Sequence, residues 1–327
     1  MTETLLETRG LSKHFKVGGN FSRQSLHAVD DADFVINRKE IVALVGESGS
    51  GKSTIARLLA RVYAPSSGEI LYQGRSLASM RTRRQSLAYR SDVPMVFQDP
   101  FSSLNPAYRV SHGILRGLKL HRTELSRAER LAEAERVVDV VGLSPAAEIL
   151  DRYPYELSGG QRQRIGFAQA LAYKPVLILA DEPVSMLDVS IRIGLLNLMA
   201  TLREEEDVSF LYITHDIASA RYVSDRLLVM YAGHIVESGP TEEVLADPKH
   251  PYTQLLLSAV PDPRAPLAVG AESDKGEPPR VINPTPGCRF RWRCPLAVDE
   301  CATVTPLPRL LAPAHTAACH VATVDAP

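Results

Sequence analysis

Residues 46–54 read Gly-Glu-Ser-Gly-Ser-Gly-Lys-Ser-Thr, with a run of apolar residues before them and a helix-spaced apolar pattern after them. A glycine loop between strand and helix, closing on Lys-Ser, is suited to phosphate: its backbone N–H groups face phosphate oxygens and the helix N-terminus adds partial positive charge. In this reading Gly46, Ser48, Gly49, Ser50, Gly51 and Thr54 form the cradle, Lys52 reaches the β- and γ-phosphates, and Ser53 ligates Mg²⁺. A second group is carboxylic. The apolar run 176–180 ends in Asp181-Glu182-Pro183, and adjacent carboxylates at the end of a buried strand are costly unless a cation or a proton satisfies them. Beside a phosphate loop the cation is Mg²⁺, bound by Asp181, while Glu182 polarises the water that attacks the γ-phosphate. Two more polar residues end apolar runs, Gln98 after 93–97 and His215 after 208–214. The carboxyl ends of strands are where open α/β sheets bind ligands, so Gln98 is expected at the ligand edge and His215 on the γ-phosphate.

The elements that must position these groups follow from periodicity. Residues 5–45 alternate apolar and polar, with a Gly18-Gly19-Asn20 break, as antiparallel strands do. Phe15 lies there, and two readings stand level: stacking on an adenine ring, or packing in the core. His14 is a weaker stacking candidate. Residues 65–68 form a turn and 69–72 a short strand. Residues 101–156 are charged and helix-favouring, with Leu131, Ala134, Val138 and Val141 expected on one face and Ser126 as a cap. Leu157-Ser158-Gly159-Gly160-Gln161 opens a helix through residue 172, with Ser158 capping and the paired glycines offering N–H groups to a second anion. Ser190 is expected to cap an amphipathic helix whose Leu195, Leu196, Leu198, Met199 and Leu202 enter the core. A hairpin is expected around Ala232-Gly233, and short helices near Thr241 and Thr253.

At 327 residues the chain can bury a large core, and a formal net charge of −1 gives no electrostatic reason to invoke nucleic acid. No apolar run approaches the ~20 residues that span a bilayer, and the opening Met1-Thr2-Glu3-Thr4 lacks the basic start of a secretory signal. A cytoplasmic chain attached to a membrane through partners is expected. Residues 261–284, rich in proline, glycine and charge, read as a linker. All 4 cysteines follow it, at Cys288, Cys294, Cys301 and Cys319. Thiols grouped late in a cytosolic chain suggest soft-metal ligation, although their spacing lacks the C-x2-C pairs usual in structural zinc sites.

Taken together, the phosphate loop, Val96-Phe97-Gln98-Asp99-Pro100, Leu157-Ser158-Gly159-Gly160-Gln161, Leu179-Ala180-Asp181-Glu182-Pro183, Ser185-Met186-Leu187-Asp188 and Thr214-His215-Asp216 resemble the ATP-binding subunits of ABC transporters. Residues 99–106 and His250-Pro251-Tyr252-Thr253 resemble the oligopeptide/dipeptide-permease branch, which includes nickel importers. The resemblance implies an α/β P-loop ATPase over 1–260, with an antiparallel β subdomain and a helical subdomain near 101–156, followed by a linker and cysteine-bearing extension over 261–327. It implies two such domains meeting head to tail, so that Ser158, Gly159, Gly160 and Gln161 of one complete the ATP site of the other, with Asp188 at the interface. Gln98 would couple Mg²⁺ and the water to the helical subdomain. The implied partners are a homologous ATPase chain, two membrane-spanning permease subunits and an extracytoplasmic solute-binding protein, at the cytoplasmic face of the membrane. The implied work is uptake of oligopeptides or dipeptides. The alternatives are import of nickel or another small solute, and a nontransport ABC ATPase acting on nucleic acid or ribosomes. Gln169 and Met186 depart from the family pattern, where arginine and a small residue are usual. The tail resembles those in which four cysteines hold a [4Fe–4S] cluster, with zinc as the alternative. Arg289, Arg291 and Arg293 would offset the thiolate charge. Because the linker separates this tail from the nucleotide motifs, it is expected to take no part in hydrolysis.

Overall fold

The computed structural model describes residues 3–18, 24–99, 104–259 and 279–323. Gly19 and Asn20 of the expected loop, most of the linker, and residues 100–103 lie outside them. Two compact units emerge: Met1–Leu5, Ile36–Ile41 and Arg75–Ile213 form the first, and Leu6–Val35, Val42–Gly74 and Thr214–Pro327 the second. The strands in chain order are β1 (Thr4–Val17), β2 (Gln24–Asn37), β3 (Ile41–Val45), β4 (Ser67–Tyr72), β5 (Arg75–Ser76), β6 (Met95–Val96), β7 (Leu177–Asp181), β8 (Ser209–Thr214), β9 (Arg226–Tyr231), β10 (His234–Pro240), β11 (Arg309–Ala312) and β12 (His315–Ala317).

In the first unit β6, β7 and β8 run parallel, with Val96 opposite Ala180 and Asp181 opposite Ile213. Both β7 and β8 are buried at every position, which is why they read as continuous apolar runs rather than alternating ones. Around them lie the helices Arg83–Asp92, Val110–His121, Arg127–Val140, Ala146–Asp151, Gly159–Leu171 and Val189–Glu205. The cap at Ser126 is present: its hydroxyl accepts from the Glu129 N–H while Glu129 accepts from the Ser126 N–H. The expected inner face of that helix needs correcting. Leu131 is 46% exposed, whereas Val137 joins Ala134, Val138 and Val141 in the core. Ser190 lies inside its helix, and Asp188 takes the N-cap position instead.

In the second unit β1 pairs antiparallel with β4, Leu6 opposite Tyr72 and Thr8 opposite Ile70. A second sheet joins β3 parallel to β9, then β9 to β10, β10 to β12 and β12 to β11, all antiparallel. The hairpin around Ala232-Gly233 forms with both residues at positive φ, the geometry a two-residue turn needs to match strand twist. Residues near the C-terminus therefore complete a sheet that begins beside the phosphate loop. Within this unit the tail also touches β2: the His27 N–H donates to the Val281 carbonyl and the Asn283 N–H to the Ser25 carbonyl.

Candidate nucleotide site

The glycine loop follows β3 and enters the helix Lys52–Leu59. Gly46 and Gly51 are irreplaceable on geometric grounds: a Cβ on either would sit 2.1 Å from a backbone oxygen, Met230's or Ala28's respectively. Lys52 is buried, and its Nζ donates to the Gly46 and Glu47 carbonyls at 2.8 and 2.9 Å. The ammonium thus lies over the loop. Ser48 and Gly49 are exposed, Ser53 and Thr54 half-buried. Ser50 is buried and its Oγ has no hydrogen-bond partner within the protein, an orphaned polar atom of the kind a polyanion-binding loop carries. Donor set, backbone and orphan hydroxyl all fit Mg²⁺-nucleotide.

Phe15 is half-buried rather than in the core, edge-on to Tyr63 at 5.4 Å with the Lys13 ammonium 5.1 Å from its ring centre. His14 is otherwise engaged, stacked on His27 at 3.7 Å and hydrogen-bonded to Asp30. His215 directly follows β8 and is exposed, and Asp216 caps the next helix through the Ala218 N–H.

In the first unit, buried Asp181 ends β7. Glu182 follows in the left-handed region at φ 47°, its N–H held by the Ile213 carbonyl at 2.9 Å. Strain at a non-glycine residue persists only where its surroundings fix it. Here it turns the Glu182 side chain onto Gln98, whose Nε2 donates to Oε2 at 3.0 Å. Two residues 84 positions apart in the chain are thereby joined.

Ser158 and Gln161 close a reciprocal cap: Ser158 Oγ accepts from the Gln161 N–H at 3.2 Å, and Gln161 Oε1 from the Ser158 N–H at 2.9 Å. Ser158 is exposed and Gly159 half-buried, while Gly160 is buried against Ile191, whose Cγ2 would stand 2.5 Å from an added Cβ. Gly160 therefore has a packing reason of its own. Gln163 donates to the Phe97 carbonyl at 3.3 Å, tying this helix to the segment carrying Gln98. Exposed Asp188 is flanked by the bare apolar residues Met186 and Val189, 61% and 70% exposed. Gln169 lines a groove of about 490 Å³ with Pro94, Phe97, Gln163 and Tyr173.

Several residues carry the second unit's loop without belonging to a phosphate motif. The Glu47 N–H donates to Tyr252 Oη at 2.9 Å, which gives the His-Pro-Tyr-Thr marker a physical role. Its carboxylate takes two hydrogen bonds from Arg293, at 2.7 and 2.8 Å. Phe290 is buried among Tyr231, Tyr252 and His250. These contacts correct the premise that the linker keeps the tail away from the nucleotide motifs. Nothing local in the sequence signals a pairing across 246 positions.

No disulfide joins the four cysteines. Burial foremost, with Cys301, Cys319 and Cys294 adding in the same direction, raises the Cys288 thiol to about 11, so the other three stand within electrostatic reach of Cys288. Among the described residues the only three metal-ligating groups within 4.8 Å of one another are His14, His27 and Asp30. Zinc at ~2.3 Å from each sulfur would need sulfurs about 3.8 Å apart. No three of the four thiols come within 4.8 Å of one another, so they do not form a ready-made zinc tetrahedron. The arginines do not all serve the thiols as expected: Arg289 pairs with Asp30 and Arg293 with Glu47, leaving Arg291 on the Cys288 carbonyl at 3.3 Å.

Residues 29–185 match the family described as ABC transporter, and residues 236–301 the one described as oligopeptide/dipeptide transporter, C-terminal region. The chain is 42% identical to a putative peptide import ATP-binding protein of Brucella ovis, across 98% of each chain. It is 43% identical to the oligopeptide transport ATP-binding protein AppF of Bacillus subtilis, again across 98% of each. Among solved structures it resembles a dimeric ATP-binding cassette in a post-hydrolysis state with ADP and Pi, at 26% identity and a TM-score of 0.64, covering 72% of this chain and 99% of that one. The cbiO1 chain of Clostridium perfringens, part of the ABC transporter complex cbiONQ, has the same TM-score at 25% identity, covering 75% of this chain and 92% of the other.

Proposed function

Since the chain belongs to the ATP-binding subunits of oligopeptide/dipeptide ABC transporters, we propose that it powers peptide uptake through the residues described above, from the cytoplasmic face of the membrane. It is an ATPase, and its work as the motor of a peptide importer follows from full-length similarity to peptide import ATP-binding proteins. Import of nickel or another solute, and action on nucleic acid or ribosomes, are not favoured. The observation that carries the residue roles is the Gln98–Glu182 hydrogen bond beside buried Asp181.

Phe15 supports the adenine ring, and Gly46, Ser48, Gly49, Ser50, Gly51 and Thr54 cradle the phosphates. Lys52 leaves the loop carbonyls for the β- and γ-phosphates. Ser53, Gln98 and Asp181 would hold Mg²⁺, which supplies charge neutralisation on the phosphates. Glu182 accepts a proton from the attacking water, and His215 contacts the γ-phosphate. Ser158, Gly159, Gly160 and Gln161 act on the partner's nucleotide. The exposed side chains of Met186, Asp188 and Val189 support an ATPase partner there. No helix among the described residues is long and apolar enough to cross a membrane. Membrane permease subunits are its partners, and the groove at Gln169 suits a short helix from one. An extracytoplasmic solute-binding protein completes the assembly.

Residues 1–260 act as the ATPase and 261–327 as the extension, in which the four thiolates hold a [4Fe–4S] cluster rather than zinc. That group would order the tail. The test is reconstitution with the permease subunits in vesicles. Peptide-stimulated ATP turnover with ATP-dependent peptide accumulation is expected, and turnover indifferent to peptide would refute the function.

A further inference from the structure

We propose that Arg293 is a positioning residue of the nucleotide site: by clasping Glu47 it cancels a carboxylate that would repel the triphosphate, making the C-terminal tail a working part of the phosphate loop. The inference rests on residues 46–54 being the ATP site. Glu47 is the second residue of a loop whose task is to hold a polyanion, and a bare carboxylate there is electrostatically adverse.

The structure answers that charge. Arg293 presents two parallel N–H groups to the two carboxylate oxygens, the fork geometry that a lysine cannot reproduce. The side chains are 10% and 27% exposed, so water and salt screen the pair little. A guanidinium stays charged at any working pH, so the pairing does not depend on conditions.

Arg293 is itself held. Its N–H and that of Cys294 both donate to the Phe290 carbonyl, at 2.9 and 3.0 Å, closing one turn. Phe290, 1% exposed, anchors that turn among Tyr231, Tyr252 and His250. Tyr252 in turn accepts the Glu47 N–H. Glu47 is thus gripped at backbone and side chain by residues 205 and 246 positions away. The turn lies between Cys288 and Cys294, so the thiol-bearing segment and the phosphate loop move as one piece.

A unit charge about 12 Å from a phosphate charge, at an effective dielectric near ~20, changes affinity about tenfold. The experiment titrates MgATP and MgADP onto the full-length chain carrying Arg293→Gln, Arg293→Lys, Glu47→Gln, or Glu47→Gln with Arg293→Gln, with thermal unfolding measured alongside. Arg293→Gln is expected to weaken MgATP binding about tenfold and MgADP binding less, because fewer phosphate charges are involved. Arg293→Lys should recover part of the loss, and the double variant should return to within about threefold of wild type. Unchanged MgATP affinity in Arg293→Gln overturns the proposal. So does an equal loss in the single and double variants that tracks a lowered unfolding temperature, which would make Arg293 a structural staple alone. Failure of every variant and of the wild type to bind MgATP would instead refute the underlying ATP-site reading.

Discussion

Replacing Glu182 by Gln removes one proton acceptor and almost nothing else. The backbone at this position is set independently of the side chain, by the N–H bond to the Ile213 carbonyl and by Ser185 Oγ, which donates to the Glu182 carbonyl at 3.0 Å. An amide oxygen can still accept from Gln98 Nε2, so the 3.0 Å contact survives the change. Glu182 is half-buried, whereas its neighbour Asp181 is the buried acid, so stability should move by less than about 1 kcal/mol. Loss of a general base commonly costs ~10² to 10⁴ in rate, or about 3–5 kcal/mol of barrier. The assay is ATP turnover by the assembled complex with the partner's own site silenced, with MgATP binding measured separately on the same preparation. Turnover should fall at least ~10²-fold with binding retained. Turnover within about threefold of wild type would refute the assignment of Glu182, and a parallel loss of binding would place it in nucleotide affinity instead.

Three further outcomes are expected. Gly160→Ala drives a Cβ to within 2.5 Å of Ile191, so it should destabilise the chain by about 1–3 kcal/mol in urea unfolding, and Ile191→Ala in the same chain should relieve part of that loss. Burial holds His250 down at about 4 against the pull of Glu237, and its Nδ1 accepts the Tyr252 N–H at 3.0 Å. Its folded value lies below its ordinary one, so its contribution is complete above about pH 6.5 and drains as pH falls toward 4, by about 2 kcal/mol at pH 5. His250→Asn, which still caps the helix, should flatten that loss, and a stability profile equally steep in both proteins would contradict the cause given. Anaerobically purified protein should be brown, with iron and acid-labile sulfide near ~4 each per chain; stoichiometric zinc without sulfide would reject the cluster.

How much of the molecule was legible in its sequence depended on range. The phosphate loop, the caps at Ser126 and Ser158, and the buried strands β7 and β8 are stated by runs of about nine residues or fewer, because turn chemistry, capping and burial periodicity act within that span. So the polar residues that end or follow these strands, Asp181, Glu182 and His215, could be picked out in order. Periodicity was already weaker in the helix Arg127–Val140, where Leu131 and Val137 exchange places between surface and core: a helix in a charged sequence offers more than one apolar stripe, and packing against its neighbours selects among them.

The sequence by itself determined which chemistry is carried and at which positions. Only the tertiary structure decided what those groups lean on. It set Glu182 in a left-handed backbone facing Gln98, pressed Gly160 onto Ile191, and gave the tail's arginines to Asp30 and Glu47 rather than to the thiols. None of these choices has a periodic or composition signature, because each follows from where packing brings distant backbone, and a fork such as Arg293 becomes specific only once a carboxylate is held in front of it.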